Sequence, residues 1–161
     1  MPIGLLKDIS DTLPAGSRLL GLDIGTKTIG LAVSDSKGIL ATPVRTIQRR
    51  KFTLDIQDIR KEITDFSIGG YVLGFPLNMD GTEGPRCQSV RHFADEMRNN
   101  PDIFGKNPWI AFWDERLSTA AVEDFLIESV DMSRTKRKQI IDAHAAAHIL
   151  QGALDYLRGE T

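Results

Sequence analysis

Three apolar segments follow one another between Arg18 and Ile47 with only short turns between them, while beyond Leu54 each apolar segment is separated from the next by a stretch of helical spacing. Strands joined by tight turns run antiparallel, and strands joined through a helix run parallel. One mixed sheet covered by helices satisfies both. Leu19-Leu20-Gly21-Leu22-Asp23-Ile24 reads as a buried strand, and Ile29 to Val33 as a second, reached through Gly25-Thr26-Lys27-Thr28. Lys37-Gly38 suits a hairpin turn into a third strand around Ile39 to Ile47, with Pro43 at an edge or a bulge. Ile56, Ile59, Ile63 and Phe66 mark one face of a helix that begins near Leu54. Tyr71 to Phe75 is a fourth strand, about Arg86 to Met97 a helix, and Trp109 to Trp113 a fifth strand. Ser118 or Thr119 can cap the next helix, with Val122, Phe125 and Leu126 facing inward, and Ser133 a last helix to about Leu157. The expectation is an α/β fold with a five-stranded mixed sheet, its first three strands antiparallel, and helices on both faces.

A chain of 161 residues is enough for one ordinary domain and too short for two. Residues 1–17 read as an N-terminal extension, ending in the loop Pro14-Ala15-Gly16-Ser17, ahead of a single domain over residues 18–161. The one cysteine, Cys87, excludes an internal disulfide and a cysteine-based zinc site, and reads as a packing residue at a helix start. The first residues lack a basic head followed by an apolar core, and no apolar run approaches the roughly 18 residues of a membrane span. A soluble cytoplasmic protein without membrane contact is expected. Lys plus Arg number 20 against 22 Asp plus Glu, a net charge of -2. That balance lacks the basic excess usual in nucleic-acid binders, but net charge does not say where the charges sit.

Some carboxylates stand where they cost energy. Asp23 lies inside the most apolar strand, and a buried carboxylate must be paired, hydrogen-bonded or bound to a metal. A structural role, bonded to the amides of the following Gly-Thr turn, is the alternative. Asp114-Glu115-Arg116 closes the fifth strand, at the carboxyl end where α/β sheets place their sites; an exposed ion pair is the alternative there. Asp142 shares a helix face with Ala145, Ala146, Ile149 and Ala153, which should pack on the sheet; a helix-capping role is the alternative, though Ser133 lies upstream and the helix is already under way. Two strand positions and one helix can bring three such groups together. Such a cluster needs a divalent cation for all its members to ionise, and oxygen-only ligands suit Mg²⁺ or Mn²⁺. This is apparatus for phosphodiester hydrolysis.

Four stretches occur in order: Gly21-Leu22-Asp23-Ile24-Gly25-Thr26-Lys27-Thr28-Ile29-Gly30-Leu31-Ala32, Gly74-Phe75-Pro76-Leu77-Asn78-Met79-Asp80-Gly81-Thr82, Asp114-Glu115-Arg116-Leu117-Ser118-Thr119 and Asp142-Ala143-His144-Ala145-Ala146. With them the chain resembles the YqgF, or RuvX-like, family of pre-16S rRNA nucleases related to Holliday-junction resolvases. Each motif alone is weak; the ordered set is specific and spans about Arg18 to Leu157. The resemblance implies an RNase H-like fold, a nuclease acting on the 5' end of 16S rRNA during ribosome maturation, and an acidic site on Asp23, Glu115 and Asp142. Adjacent strand residues point opposite ways, so Asp114 remains an alternative to Glu115 as the middle ligand. His144 within the last motif and the N-terminal extension depart from the family pattern.

The substrate would be met by basic residues: Lys27 in the turn after Asp23, Arg86, Arg116, and Lys136, Arg137 and Lys138 one to two turns ahead of Asp142. Arg49-Arg50-Lys51 is a second basic run, for which a solvated surface is an equal reading. His144 and His148 point away from Asp142, and Trp109 and Trp113 share one side of their strand as core. The partner expected is RNA, on pre-16S rRNA or ribosomal particles, with branched DNA as the alternative and a monomer or homodimer as the assembly. Two other classes compete. Asp23-x-Gly25-Thr26 resembles the phosphate-binding turn of actin-type and sugar-kinase ATPases, but that architecture uses two domains. A non-catalytic RNA-binding assembly factor has no need of three buried acids.

Overall fold

The computed structural model describes residues 2–117 and 134–159, with the backbone alone for residues 117 and 134–141. In chain order the elements are β1 (Ile3–Leu5), α1 (Leu6–Ile9), a 3₁₀ turn (Ser10–Thr12), β2 (Arg18–Ile24), β3 (Thr28–Ser34) and β4 (Ala41–Gln48). Then follow α2 (Phe52–Asp65), β5 (Ile68–Phe75), α3 (Pro85–Arg98), α4 (Pro101–Phe104), β6 (Ile110–Asp114), a second 3₁₀ turn (Glu115–Leu117) and α5 (Arg134–Leu157). The proposed caps Ser118, Thr119 and Ser133, and the residues Val122, Phe125 and Leu126, lie outside the described residues.

The sheet runs β1-β6-β5-β2-β3-β4. The β2–β3 and β3–β4 pairs are antiparallel, and β2–β5, β5–β6 and β1–β6 are parallel. The mixed sheet expected from the turn and helix pattern is therefore present, with six strands instead of five. The added strand is β1, in which Ile3, Gly4 and Leu5 pair with Ile110, Ala111 and Phe112. Three residues are too short to display an alternating pattern, and the partner lies far along the chain. On edge strand β4 the register passes from Leu31↔Arg45 to Ala32↔Pro43. Val44 is left without a partner, so Pro43 sits beside a bulge at an edge, where its missing N–H costs little.

Alternation along β2 explains the two layers. Leu20 and Leu22 face one side with Leu73 and Phe75, against Ile56 and Ile59 of α2 and Val90, Phe93 and Met97 of α3. Leu19 faces the other side with Val72, Trp109, Ala111 and Trp113, against Ala146, Ile149, Leu150 and Ala153 of α5. A sheet buried on both faces produces continuous apolar runs. Helix α2 also buries Asp55 and Glu62. Glu62 accepts a 2.7 Å hydrogen bond from Arg45 Nε, and Asp55 accepts one of 2.9 Å from the Arg50 amide. Among the described residues no helix is long and apolar enough to cross a membrane.

Strands β2, β5, β6 and β1 are mutually parallel. Their carboxyl ends consequently share one edge of the molecule, and β2 brings Asp23 to it.

Candidate active site

Two absent side chains shape this edge. Gly74 on β5 pairs with Trp113 of β6. A Cβ at Gly74 would collide with the Glu115 carboxylate and with Ile149 Cδ1. The space it leaves is where the Glu115 side chain lies. On β3, Gly30 stands opposite Asp23, and a Cβ there would overlap the backbone carbonyl of Asp142. Helix α5 therefore rests directly on the β3 backbone at the turn that carries Asp142. The Asp142 side chain is oriented from the same strand, because the Thr28 hydroxyl donates a 2.6 Å hydrogen bond to Asp142 Oδ2.

Asp23 and Glu115 are in hydrogen-bond contact. Burial raises the Asp23 pKa to about 6, the Asp142 charge adds to the rise, and the Arg86 guanidinium opposes it. Burial likewise raises Glu115 to about 7, helped by the Asp23 charge and again opposed by Arg86. The directions fit one arrangement, in which Glu115 holds a proton and donates it to Asp23. Among the described residues no three His, Cys, Asp or Glu side chains are already gathered round a single point. Asp142 acts on Asp23 through its charge.

The other residues singled out in the sequence divide clearly. Asp114 turns away from Asp23: Arg116 Nη2 is 2.6 Å from its Oδ2, Arg116 Nε is 3.0 Å from both carboxylate oxygens, and the guanidinium also donates to the Met79 carbonyl. This pairing holds the Asp114 pKa down. Glu115, not its neighbour, meets Asp23, and the Arg116 guanidinium is already engaged. Arg86 reaches over from α3 to donate to the Ile24 carbonyl at 3.3 Å. Lys27 is exposed on the β2–β3 turn. The side chains of Lys136, Arg137 and Lys138 lie outside the described residues, although their helix leads to Asp142. Within the second basic run, Arg50 pairs with Asp58 at 2.8 Å, and Arg49 donates to the Gly25 carbonyl at 2.7 Å.

Sequence reasoning missed Thr28 and Gly30. The signal was there, since residues two apart on a strand share a face and a glycine inside a strand marks a close approach. What was missing was the partner, 114 residues away in the chain.

The RuvX family, described as Holliday junction resolvase, matches residues 17–156. The chain belongs to this family. A relative from Rhodospirillum centenum, named "Putative pre-16S rRNA nuclease", is 54% identical over 98% of this chain and 84% of its own length. Relatives of the same name from Rhodospirillum rubrum and Paramagnetospirillum magneticum are 52% and 50% identical, over 98% and 99% of this chain and 94% and 99% of their own. In three dimensions the RuvX chain resembles T. thermophilus RuvC in complex with a Holliday junction substrate, with a TM-score of 0.51 at 14% identity over 89% of this chain and 97% of that one. It also resembles the yeast mitochondrial Holliday junction resolvase Ydc2, with a TM-score of 0.50 at 11% identity over 95% and 84%. At such identities the likeness concerns the fold, which is the RNase H-like one.

Proposed function

We propose that this RuvX chain is a nuclease that hydrolyses phosphodiester bonds of precursor 16S rRNA, with Asp23, Glu115 and Asp142 holding Mg²⁺ or Mn²⁺. One observation carries the reading: two carboxyls in contact, with the charge of a third, Asp142, acting on Asp23, at the carboxyl edge of the sheet. Bringing carboxylates together costs energy in the absence of a counter-charge. A protein that only packs has no reason to do so. The donor set is all oxygen, which fits a hard divalent cation. Such an ion, when bound, supplies the charge that activates water and stabilises the leaving oxygen.

The chain's own groups have separate tasks. Thr28 fixes one oxygen of Asp142 and so sets which way the other faces. Arg86 keeps donors beyond the one on the Ile24 carbonyl, and a guanidinium beside carboxylates can grip phosphate oxygens. Without a cation, Glu115 holds the proton it shares with Asp23, which keeps the pair from repelling. Lys27, and Lys136, Arg137 and Lys138 on the approach to Asp142, position the backbone through phosphate contacts. A pI of about 5.9 implies weak general affinity that fades with salt. Selectivity then rests on substrate shape or on ribosomal particles in the cytoplasm. Residues 18–161 would carry the nuclease site, with the segment before them completing the same sheet through β1.

A four-way DNA junction is the second reading, favoured by the description of the family. The test is cleavage of a precursor 16S rRNA fragment and of a four-way junction with Mg²⁺ or Mn²⁺, by the native chain and by Asp23→Asn. Cleavage of the RNA that disappears in the variant is expected. Equal cleavage by both proteins overturns the site, and cleavage of the junction alone selects the second reading.

A further inference from the structure

A groove of about 580 Å³ lies between α2 and α3, of a size that holds a nucleotide-sized ligand. Its position follows from the topology. Strand β4 runs parallel to β2, since both are antiparallel to β3. Arg49 therefore emerges at the edge that carries Asp23. It is stitched to the catalytic turn twice, by its amide on the Lys27 carbonyl at 2.8 Å and by its guanidinium on the Gly25 carbonyl at 2.7 Å. The other wall is α3, whose Arg86 reaches the Ile24 carbonyl and whose next turns carry Gln88, Ser89 and His92 into the groove.

We infer that this groove carries the single-stranded part of a nucleic-acid substrate away from the carboxylates. The inference rests on the nuclease reading above. The lining has the two components that single-strand binding requires, flat groups for bases and donors for phosphates. Phe52 is half-buried and meets Phe93 edge to face at 5.2 Å. The Arg49 guanidinium lies 5.8 Å over the Phe93 ring with its side chain 28% exposed. A base can stack on either. Gln88 and His92 offer donors, Arg49 keeps those not given to the Gly25 carbonyl, and Ser89 Oγ donates to the Pro85 carbonyl at 3.3 Å while still able to accept. The carboxylates nearby are Glu96, which faces His92 at 4.0 Å, and the buried Asp55, 3.9 Å from Arg49 Nε. Stacking on an aromatic or guanidinium plane needs a base freed from its helix, so the occupant is a strand and not a duplex.

The test uses the full chain with two substrates, a precursor RNA fragment with a single-stranded extension and the same duplex trimmed blunt. Gln88 and Ser89 are exposed, so the double variant Gln88→Glu, Ser89→Glu adds two charges without disturbing packing. Its Kd for the extended fragment should rise roughly tenfold, with kcat within about twofold of the native value. Its Mn²⁺ titration and its affinity for the blunt duplex should be unchanged. Phe52→Leu should reduce the quenching of a 2-aminopurine placed in the extension. An unchanged Kd for the extended fragment, in a protein that cleaves it, overturns the groove and leaves the nuclease standing. Discrimination between the substrates without cleavage by the native chain overturns the nuclease and leaves the groove.

Discussion

Replacing Thr28 with valine removes one donor and little else. The side chain keeps its branched shape, which suits the β3 strand, and is only 6% exposed. What is lost is the 2.6 Å bond to Asp142 Oδ2. Hydrogen bonds to charged groups contribute about 1.5–3 kcal/mol. Asp142 is half-buried and water can replace part of the bond, so about 1 kcal/mol is expected, or a Tm lower by about 2–4 °C in a chain of this size. The effect on a cation should be larger, because groups that orient metal ligands are worth about 10–100-fold in affinity. The assay pairs thermal unfolding in EDTA with calorimetric titration of Mn²⁺. Thr28→Val should bind Mn²⁺ about tenfold more weakly, and Thr28→Ser should restore both readouts. Native Mn²⁺ affinity in the valine variant would refute the claim that Thr28 positions Asp142.

Stability should fall as pH rises from about 4 to about 7, because folding raises Asp23 from 3.8 to about 6 and Glu115 from 4.5 to about 7. The folded chain holds these protons more tightly than the unfolded one, so the cost is absent below the unfolded pKa values and complete above the folded ones. With the mutual repulsion counted once, the loss is roughly 3–5 kcal/mol, read by urea unfolding against pH; Mg²⁺ or Asp23→Asn should flatten the slope, and a slope unaffected by either contradicts the pairing. Gly30→Ala should push α5 off β3, lowering stability by about 1–3 kcal/mol and weakening Mn²⁺ binding; a native Tm would mean that the contact yields easily. Asp114→Asn breaks a partly exposed pair with Arg116 and should cost at most about 1 kcal/mol while leaving Mn²⁺ titration intact, whereas Glu115→Gln should abolish it. The reverse result would exchange their roles.

Much of this was legible in the residues, for a physical reason. Asp23 among leucines and Asp142 on an alanine-rich helix face are violations of burial, and violations survive translation from sequence to structure because the energy that forbids them is local. Asp55 and Glu62 were not legible. They occupy the buried face of α2, but helical spacing treats acids as solvent-facing, and their partners Arg50 and Arg45 come from a preceding loop and strand. The choice between Asp114 and Glu115 was similarly hidden. Alternation says that they diverge; only the empty space at Gly74 says which one turns inward. The basic run at Arg49 was left open in the sequence between substrate contact and solvated surface, and its spacing could not show that it includes a guanidinium tied to the Gly25 carbonyl, two residues from Asp23.

The pairing of β1 with β6 gives the molecule an ordering in time as well as in space. Ile3 meets Ile110, so a strand near the start of the chain has no partner until more than a hundred residues have followed it. Contacts of that separation carry a large closure entropy and form late. During synthesis the β1 segment must therefore wait as an unpaired strand while β2, β3 and β4, joined by short turns, assemble beside it. Its arrival covers the outer edge of β6 up to Phe112, three residues before Glu115. The Asp142 turn of α5, which meets Thr28 from 114 residues away, closes over a still longer span.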